Sequence, residues 1–340
     1  VLFPLTGVLP GRVIAASYFN STVFLFLGGF LLALAMERWD LHRRIALRII
    51  LASGSRPTAL VLGFMLASAF LSMWISNTAT AVMMLPMALA IIQQLERESG
   101  ETSQLTVPLL LGIAYACSTG GIATLIGTPP NLILQRTLQI SFPDAAPLSF
   151  GQWLLLGLPL ALTMVLLIWW ILTRILFRVD RMPSIDAGLI RETHRRLGPL
   201  SREEIYVAIV FVSTAMLWCF RRPIQLGGLA IPGWSELLPH GELIDDGTVA
   251  IAMSIILFLL PARDKEKHTA ILDNDVFRRV PWAIILLFGG GFALAEGFVR
   301  SGLAEYLVGG FTAIADLPAP LLVFLIALGL TFLSELTSNT

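Results

Sequence analysis

Charge is scarce in this chain. Only 14% of its 340 residues are Asp, Glu, Lys or Arg, and 56% are hydrophobic, where a soluble domain carries about a quarter charged residues. The balance is neutral, 23 basic against 23 acidic side chains, so no basic surface points to nucleic acid as a partner. Cysteine is nearly absent. Cys117 and Cys219 lie far apart in apolar segments, which excludes a disulfide framework and offers no metal-ligand spacing. The histidines His42, His194, His240 and His268 all fall in polar connections, so an enzyme centre buried at membrane depth has no histidine to use. No phosphate-binding loop is present to drive pumping by a nucleotide. Val1 opens without an initiator Met or a charged leader, and Thr340 ends the chain inside a motif. The sequence therefore reads as an interior piece of a longer protein, with spans expected beyond both ends.

What is abundant is long apolar runs: Trp153–Ile175, Ile205–Phe220, Val249–Leu260 and Trp282–Phe298. Several approach the roughly 20 residues that cross a bilayer, so the expectation is an all-α, multi-pass membrane protein with lipid around it. Seventeen of the 23 basic residues cluster in 37–58, 174–204 and 262–280, and the positive-inside rule places those stretches in the cytoplasm of a plasma or inner membrane. Phe24–Met36 then runs inward, with Glu37–Arg56 amphipathic at the cytoplasmic interface. Val107–Leu134 runs outward, Trp153–Leu176 inward, Ile205–Phe220 outward, Val249–Leu260 inward and Trp282–Phe298 outward. Thr58–Gln94 does not fit as a span. It is apolar but carries Ser76-Asn77-Thr78 at its centre. Two arms of about 15 residues are too short to cross twice, so the segment is expected to be a re-entrant hairpin, a form tolerated when buried in protein or lining a cavity.

Sliding the chain by 262 positions lays Gly28-Gly29-Phe30 on Gly290-Gly291-Phe292, Phe70-Leu71-Ser72 on Phe332-Leu333-Ser334, and Ser76-Asn77-Thr78 on Ser338-Asn339-Thr340, without a gap. The charge pattern orients the two copies oppositely. This implies an inverted-topology repeat with a second hairpin near 320–340, a construction typical of secondary transporters that bind near the midplane.

Polar groups at membrane depth are costly unless partnered. Each Ser-Asn-Thr triplet sits at a helix break. There the next helix N-terminus offers N–H groups and partial positive charge to an anion. The same residues also suit plain helix capping. In Gly127-Thr128-Pro129-Pro130-Asn131, after Ser118-Thr119-Gly120-Gly121, two prolines remove backbone donors and interrupt the helix. The carbonyls freed upstream, with hydroxyl and amide oxygens, suit a hard cation such as sodium. His240, Glu242, Asp245 and Asp246 read as a solvated outer loop, and Met83, Met84 and Met87 as packing.

The runs Ser72-Met73-Trp74-Ile75-Ser76-Asn77-Thr78-Ala79-Thr80, Gly127-Thr128-Pro129-Pro130-Asn131 and Glu335-Leu336-Thr337-Ser338-Asn339-Thr340 resemble the divalent anion–sodium symporter family. That resemblance implies sodium-coupled carriage of dicarboxylates, citrate or, in some branches, sulfate. It implies a homodimer of two-domain protomers working as an elevator. Residues 58–178 and the hairpin starting at 318–340 would move, and 1–57 with 179–317, including a second interfacial helix, would form the scaffold. Carried over by motif, one sodium site falls on Ser72, Ser76, Asn77 and Gly127, and a second on Ser334, Thr337 and Asn339. Substrate carboxylates fall on Asn77, Thr78, Asn339 and Thr340, with help from Thr128. A carboxylate exchanger, a carrier of sulfate or another oxyanion, and a membrane-embedded enzyme are the alternatives.

Overall fold

Apolar chain in lipid must satisfy its own backbone, which leaves the helix as the open choice. A computed structural model describes the chain except for residues 1, 100–102, 143, 145–147, 180–187, 227–228, 264–268, 304, 307–316 and 337–340. The described residues are helical apart from loops and one short antiparallel hairpin. That hairpin pairs Ile224–Leu226 with Leu229–Ile231 in the connection expected to face outward. Gly11–Arg38, Asn77–Arg97, Phe150–Leu176 and Trp282–Arg300 are long and apolar enough to cross a membrane. The chain is a multi-pass membrane protein by this measure. It divides into two compact units, described separately.

The larger unit comprises 21–132 and 148–281. It holds α3 (Ser21–Arg38), α4 (Leu41–Ser53), α5 (Pro57–Ser72), α6 (Asn77–Ser99), α7 (Thr106–Gly121), the start of α8 (Pro129–Ser141), α9 (Phe150–Trp170), α10 (Gly188–Arg196), α11 (Arg202–Cys219) and α12 (Asp246–Leu259). α9 runs on as a π-helical turn, Ile171–Leu176. Reciprocal capping boxes start α9 (Ser149 with Gln152) and α11 (Ser201 with Glu204). α3 and α12 pack so closely that a Cβ on Gly28 would lie 2.5 Å from the Ala250 Cβ, so the Gly-Gly-Phe motif here serves helix contact. The core lies among α4, α5, α6 and α7, around Leu47, Ile50, Phe64, Met65, Leu71, Ile91, Leu109 and Ile113.

Two buried ion pairs brace this unit. Arg44 of α4 makes a two-pronged contact with Glu204 of α11, at 2.7 and 3.1 Å, and also donates to the carbonyls of Leu197 and Gly198. Arg221 pairs with Asp246, whose other carboxylate oxygen accepts the Phe150 N–H at 3.1 Å. The sequence reading of Asp245 and Asp246 as a solvated face is thus corrected. Asp246 is buried because a buried arginine and a backbone donor replace its water, and Asp245 caps α12 by accepting from Thr248.

α5 has 16 residues but α6 has 23, longer than the 15 expected of each arm. The hairpin was expected to end at Gln94, and the helix-favouring residues 95–99 carry α6 further. Val107–Leu134, read as one interrupted span, is two helices, α7 and α8, separated by residues 122–128.

The smaller unit comprises 1–20, 133–147 and 282–340. It holds α1 (Leu2–Leu5), α2 (Gly11–Tyr18), the end of α8, α13 (Trp282–Arg300) and α14 (Ala319–Leu336). α13 packs on α2 and on the Phe3 ring, with Gly289 against Tyr18 and Gly297 against Phe3. The ends of α3 and α13, Arg38 and Arg300, are 262 residues apart, and so are the starts of α5 and α14, Pro57 and Ala319. Helix boundaries therefore recur at the spacing of the sequence match.

Candidate functional site

α5 stops at Ser72 because the next residues turn. The N–H groups of Met73, Trp74 and Ile75 fold back onto Ala69 and Leu71 carbonyls, and α6 restarts at Asn77. Ser76 stands at the cap position and accepts the Ala79 N–H at 3.2 Å. Ser76 and Thr78 are exposed at this tip and Asn77 is half-buried. Ser72, fully buried, places its Oγ 2.6 Å from Asn77 Oδ1 and 2.6 Å from the Cys117 carbonyl of α7. A serine hydroxyl has one proton to give. Three oxygens therefore meet with a single hydrogen among them.

α7 stops at Gly121. The prolines expected to end a helix instead open the next one: Pro129 and Pro130 begin α8, where the missing N–H groups have no helical partner anyway. The break before them exposes carbonyls, as expected, and side chains hold each in place. Asn131 Nδ2 donates to the Gly121 and Thr124 carbonyls at 2.9 and 2.7 Å, and the Trp153 indole to that of Ile122 at 2.9 Å. Thr124 donates its hydroxyl proton to the Met73 carbonyl and accepts the Gly127 N–H at 3.0 Å, joining this break to the α5–α6 turn. A carbonyl oxygen has two lone pairs, so these oxygens are oriented rather than exhausted.

Gly121 lies between the two motifs. A Cβ there would come 2.7 Å from Asn77 Oδ1, and a Cβ on Gly127 would come 2.5 Å from the Gly121 carbonyl oxygen. Ser72, Asn77 and Gly127 are thus gathered about Gly121. Ser76 is exposed and its hydroxyl accepts the Ala79 N–H, and Thr128 is half-buried, its carbonyl accepting the Asn131 N–H. Ser334 falls in the last turn of α14. Thr337, Asn339 and Thr340 lie outside the described residues.

An aromatic stack backs the turn. Trp74 stacks on Phe150 (centroids 6.1 Å apart) and meets Phe211 of α11 edge-on at 4.8 Å, and Phe150 stacks on Trp218 at 4.8 Å. Beside the tip is a cavity of about 370 Å³, lined by Ile75, Ala79, Thr80 and Met83 and by Glu37 and Arg279, themselves paired at 2.8 Å.

The whole chain, residues 1–340, matches the family described as citrate transporter. The chain belongs to that family. It is 41% identical over 351 aligned positions to the sodium-dependent dicarboxylate transporter SdcS of Staphylococcus saprophyticus, covering all of this chain and 64% of that relative. It is 38% identical over 348 positions to SdcS of Staphylococcus aureus, with the same coverage. The chain thus spans 64% of the length of the curated relatives it matches. Two participants in this candidate site escaped the sequence analysis, Thr124 and the Cys117 carbonyl, and the role of a third, Asn131, differs from the one expected. Asn131 was expected to offer an amide oxygen as part of the Gly127–Asn131 motif, and here its Nδ2 donates to two carbonyls instead. Thr124 and the Cys117 carbonyl had no signal, since only the packing of α5 on α7 brings them to the turn.

Proposed function

We propose that the full-length protein is a secondary carrier, not an enzyme, that brings di- and tricarboxylates across a cell membrane with sodium. The observation that carries this reading is the meeting of Ser72 Oγ, Asn77 Oδ1 and the Cys117 carbonyl with one proton among them. A cation at that point takes the place of the missing second proton, and the donors present are hard oxygens, suited to sodium and unsuited to soft metals. The names of the relatives, both sodium-dependent dicarboxylate transporters, support the same substrate class.

Ser72 and Asn77, with a Gly127 oxygen, are assigned to one sodium, and Ser334, Thr337 and Asn339 to a second. Ser76 borders the first site as its helix cap. The carboxylates of the substrate are assigned to Asn77, Thr78, Asn339, Thr340 and Thr128. No Lys or Arg occurs in 58–94 or 107–134, so a doubly negative substrate must be neutralised otherwise. A helix N-terminus contributes about half a charge, and two sodium ions contribute two. Substrate and sodium binding should therefore be strongly cooperative, each tightening the other by the same factor.

The recurrence of helix boundaries at 262 residues and the clustering of basic residues support an inverted repeat whose hairpins dip into the membrane from opposite sides. On that basis 58–178 with the 318–340 hairpin is assigned to an elevator-like moving part, and the remainder to a scaffold that pairs in a homodimer. Uptake of radiolabelled succinate, citrate and sulfate into liposomes holding the full-length protein tests the reading. Succinate or citrate uptake should need an inward sodium gradient. Equal uptake in sodium and choline would replace symport by exchange, and uptake of sulfate alone would replace the substrate class.

A further inference from the structure

We propose that a groove between α4, α6 and α10 binds one anionic phospholipid, its phosphate on Arg43 and an acyl chain in the slot beside it. The slot, about 160 Å³, is walled by Leu47, Ile50, Phe64, Met87 and Ile91, with Arg43 and Thr193 as its polar lining. An apolar slot with a guanidinium beside it matches an amphiphile. A free phosphate would leave the slot bare. A zwitterionic lipid such as phosphatidylcholine, though it also offers a phosphate, would bring a quaternary ammonium into the positive field around the slot. The guanidinium fork is shaped for phosphate oxygens.

The charges around the slot strengthen the match. α10 packs on α4, sinking Ile190 into the core while Arg191 and Arg195 stay exposed. Arg44 is occupied by Glu204 and Arg196 by Glu192. Arg43, Arg48, Arg191 and Arg195 have no carboxylate partner among the described residues, so this face keeps an unneutralised positive field. Basic pockets between helices at the cytoplasmic surface are where anionic headgroups settle. The positive-inside reading puts α4 and α10 at that level. The slot also meets α6 at Pro86, where the helix lacks one backbone donor. A chain lodged there braces the second hairpin arm against α4, whatever substrate the carrier moves.

The test uses full-length protein in nanodiscs of phosphatidylglycerol or phosphatidylcholine, with native mass spectrometry to count retained lipid. Wild type should retain one phosphatidylglycerol and no phosphatidylcholine. Arg43→Gln should weaken retention about tenfold, as expected for loss of one charge-assisted contact. Ala90→Trp, at an exposed position on the slot wall, should fill the slot and abolish retention, with Ala90→Leu as the milder filler should the tryptophan not fold. Arg48→Gln, on the same helix but outside the slot, should retain lipid as wild type does, and inorganic phosphate should not compete. Equal loss in Arg48→Gln would mean diffuse attraction and overturn the site. Undiminished retention in Arg43→Gln or in both Ala90 variants, or displacement by phosphate, would overturn it as well.

Discussion

Ser72 Oγ has two acceptors and one proton, and Asn77 is the partner whose removal isolates the question. Asn77→Ala removes a neutral oxygen from the assigned sodium and substrate sites together. Loss of one such ligand costs about 1–3 kcal/mol, or roughly ten- to a hundredfold in binding. Sodium activation of uptake should therefore shift to higher concentration along with substrate affinity. A folded Asn77→Ala protein with an unchanged sodium curve would remove Asn77 from the cation site. At this scale the motif residues were legible because a serine or asparagine inside an apolar run needs a reason to be there. The Cys117 contribution was not, because a backbone carbonyl has no signature in its side chain.

Helices in this chain are defined as much by where they stop as by where they run. The pause between α7 and α8 was legible from Pro129-Pro130, yet its position was misread. Proline is hostile to the interior of a helix but at home in its first turn, so the gap falls before the pair. Asn131 then bridges that gap with two hydrogen bonds to the Gly121 and Thr124 carbonyls. Asn131→Leu keeps the bulk and removes both donors. It should cost about 1–3 kcal/mol for the stranded carbonyls, read as a lower unfolding midpoint in calorimetry of the detergent-solubilised full-length protein. An unchanged midpoint would show that the break holds without its bridge. Helix lengths were least legible where charge and helix propensity disagree, as in the tail of α6, whose Gln and Glu residues end the apolar run without ending the helix.

For the whole molecule, a sequence repeat was legible because two polar triplets stay in register with two Gly-Gly-Phe runs over some fifty residues. The buried Arg221–Asp246 pair was not legible, since each partner alone looks like an outer-loop charge and only the fold removes both from water. The proposed opposite orientation of the two copies makes a topological demand. In a background lacking Cys117 and Cys219, single cysteines at Gly100 and at Glu242, exposed in the outer loop, should react with an impermeant thiol reagent from opposite sides of the membrane. Labelling of both from one side would leave the repeat in place but cancel its inversion.

The ring stack behind the turn has an optical meaning. Trp74 belongs to the part assigned to move, and Phe211 and Trp218 to the part assigned to stay, while Trp74 touches Phe150 and Phe211 at stacking distance. Any stroke that carries the turn away from α11 must part Trp74 from Phe211 and change the surroundings of its indole. The protein then carries its own position gauge. Tryptophan emission should shift when sodium and succinate are added together and less with either alone. The shift should shrink in Trp74→Phe and vanish in Trp74→Phe/Trp218→Phe, because Phe150 of the moving part also stacks on Trp218. A shift that survives the double substitution would place the moving boundary elsewhere in the helix assembly.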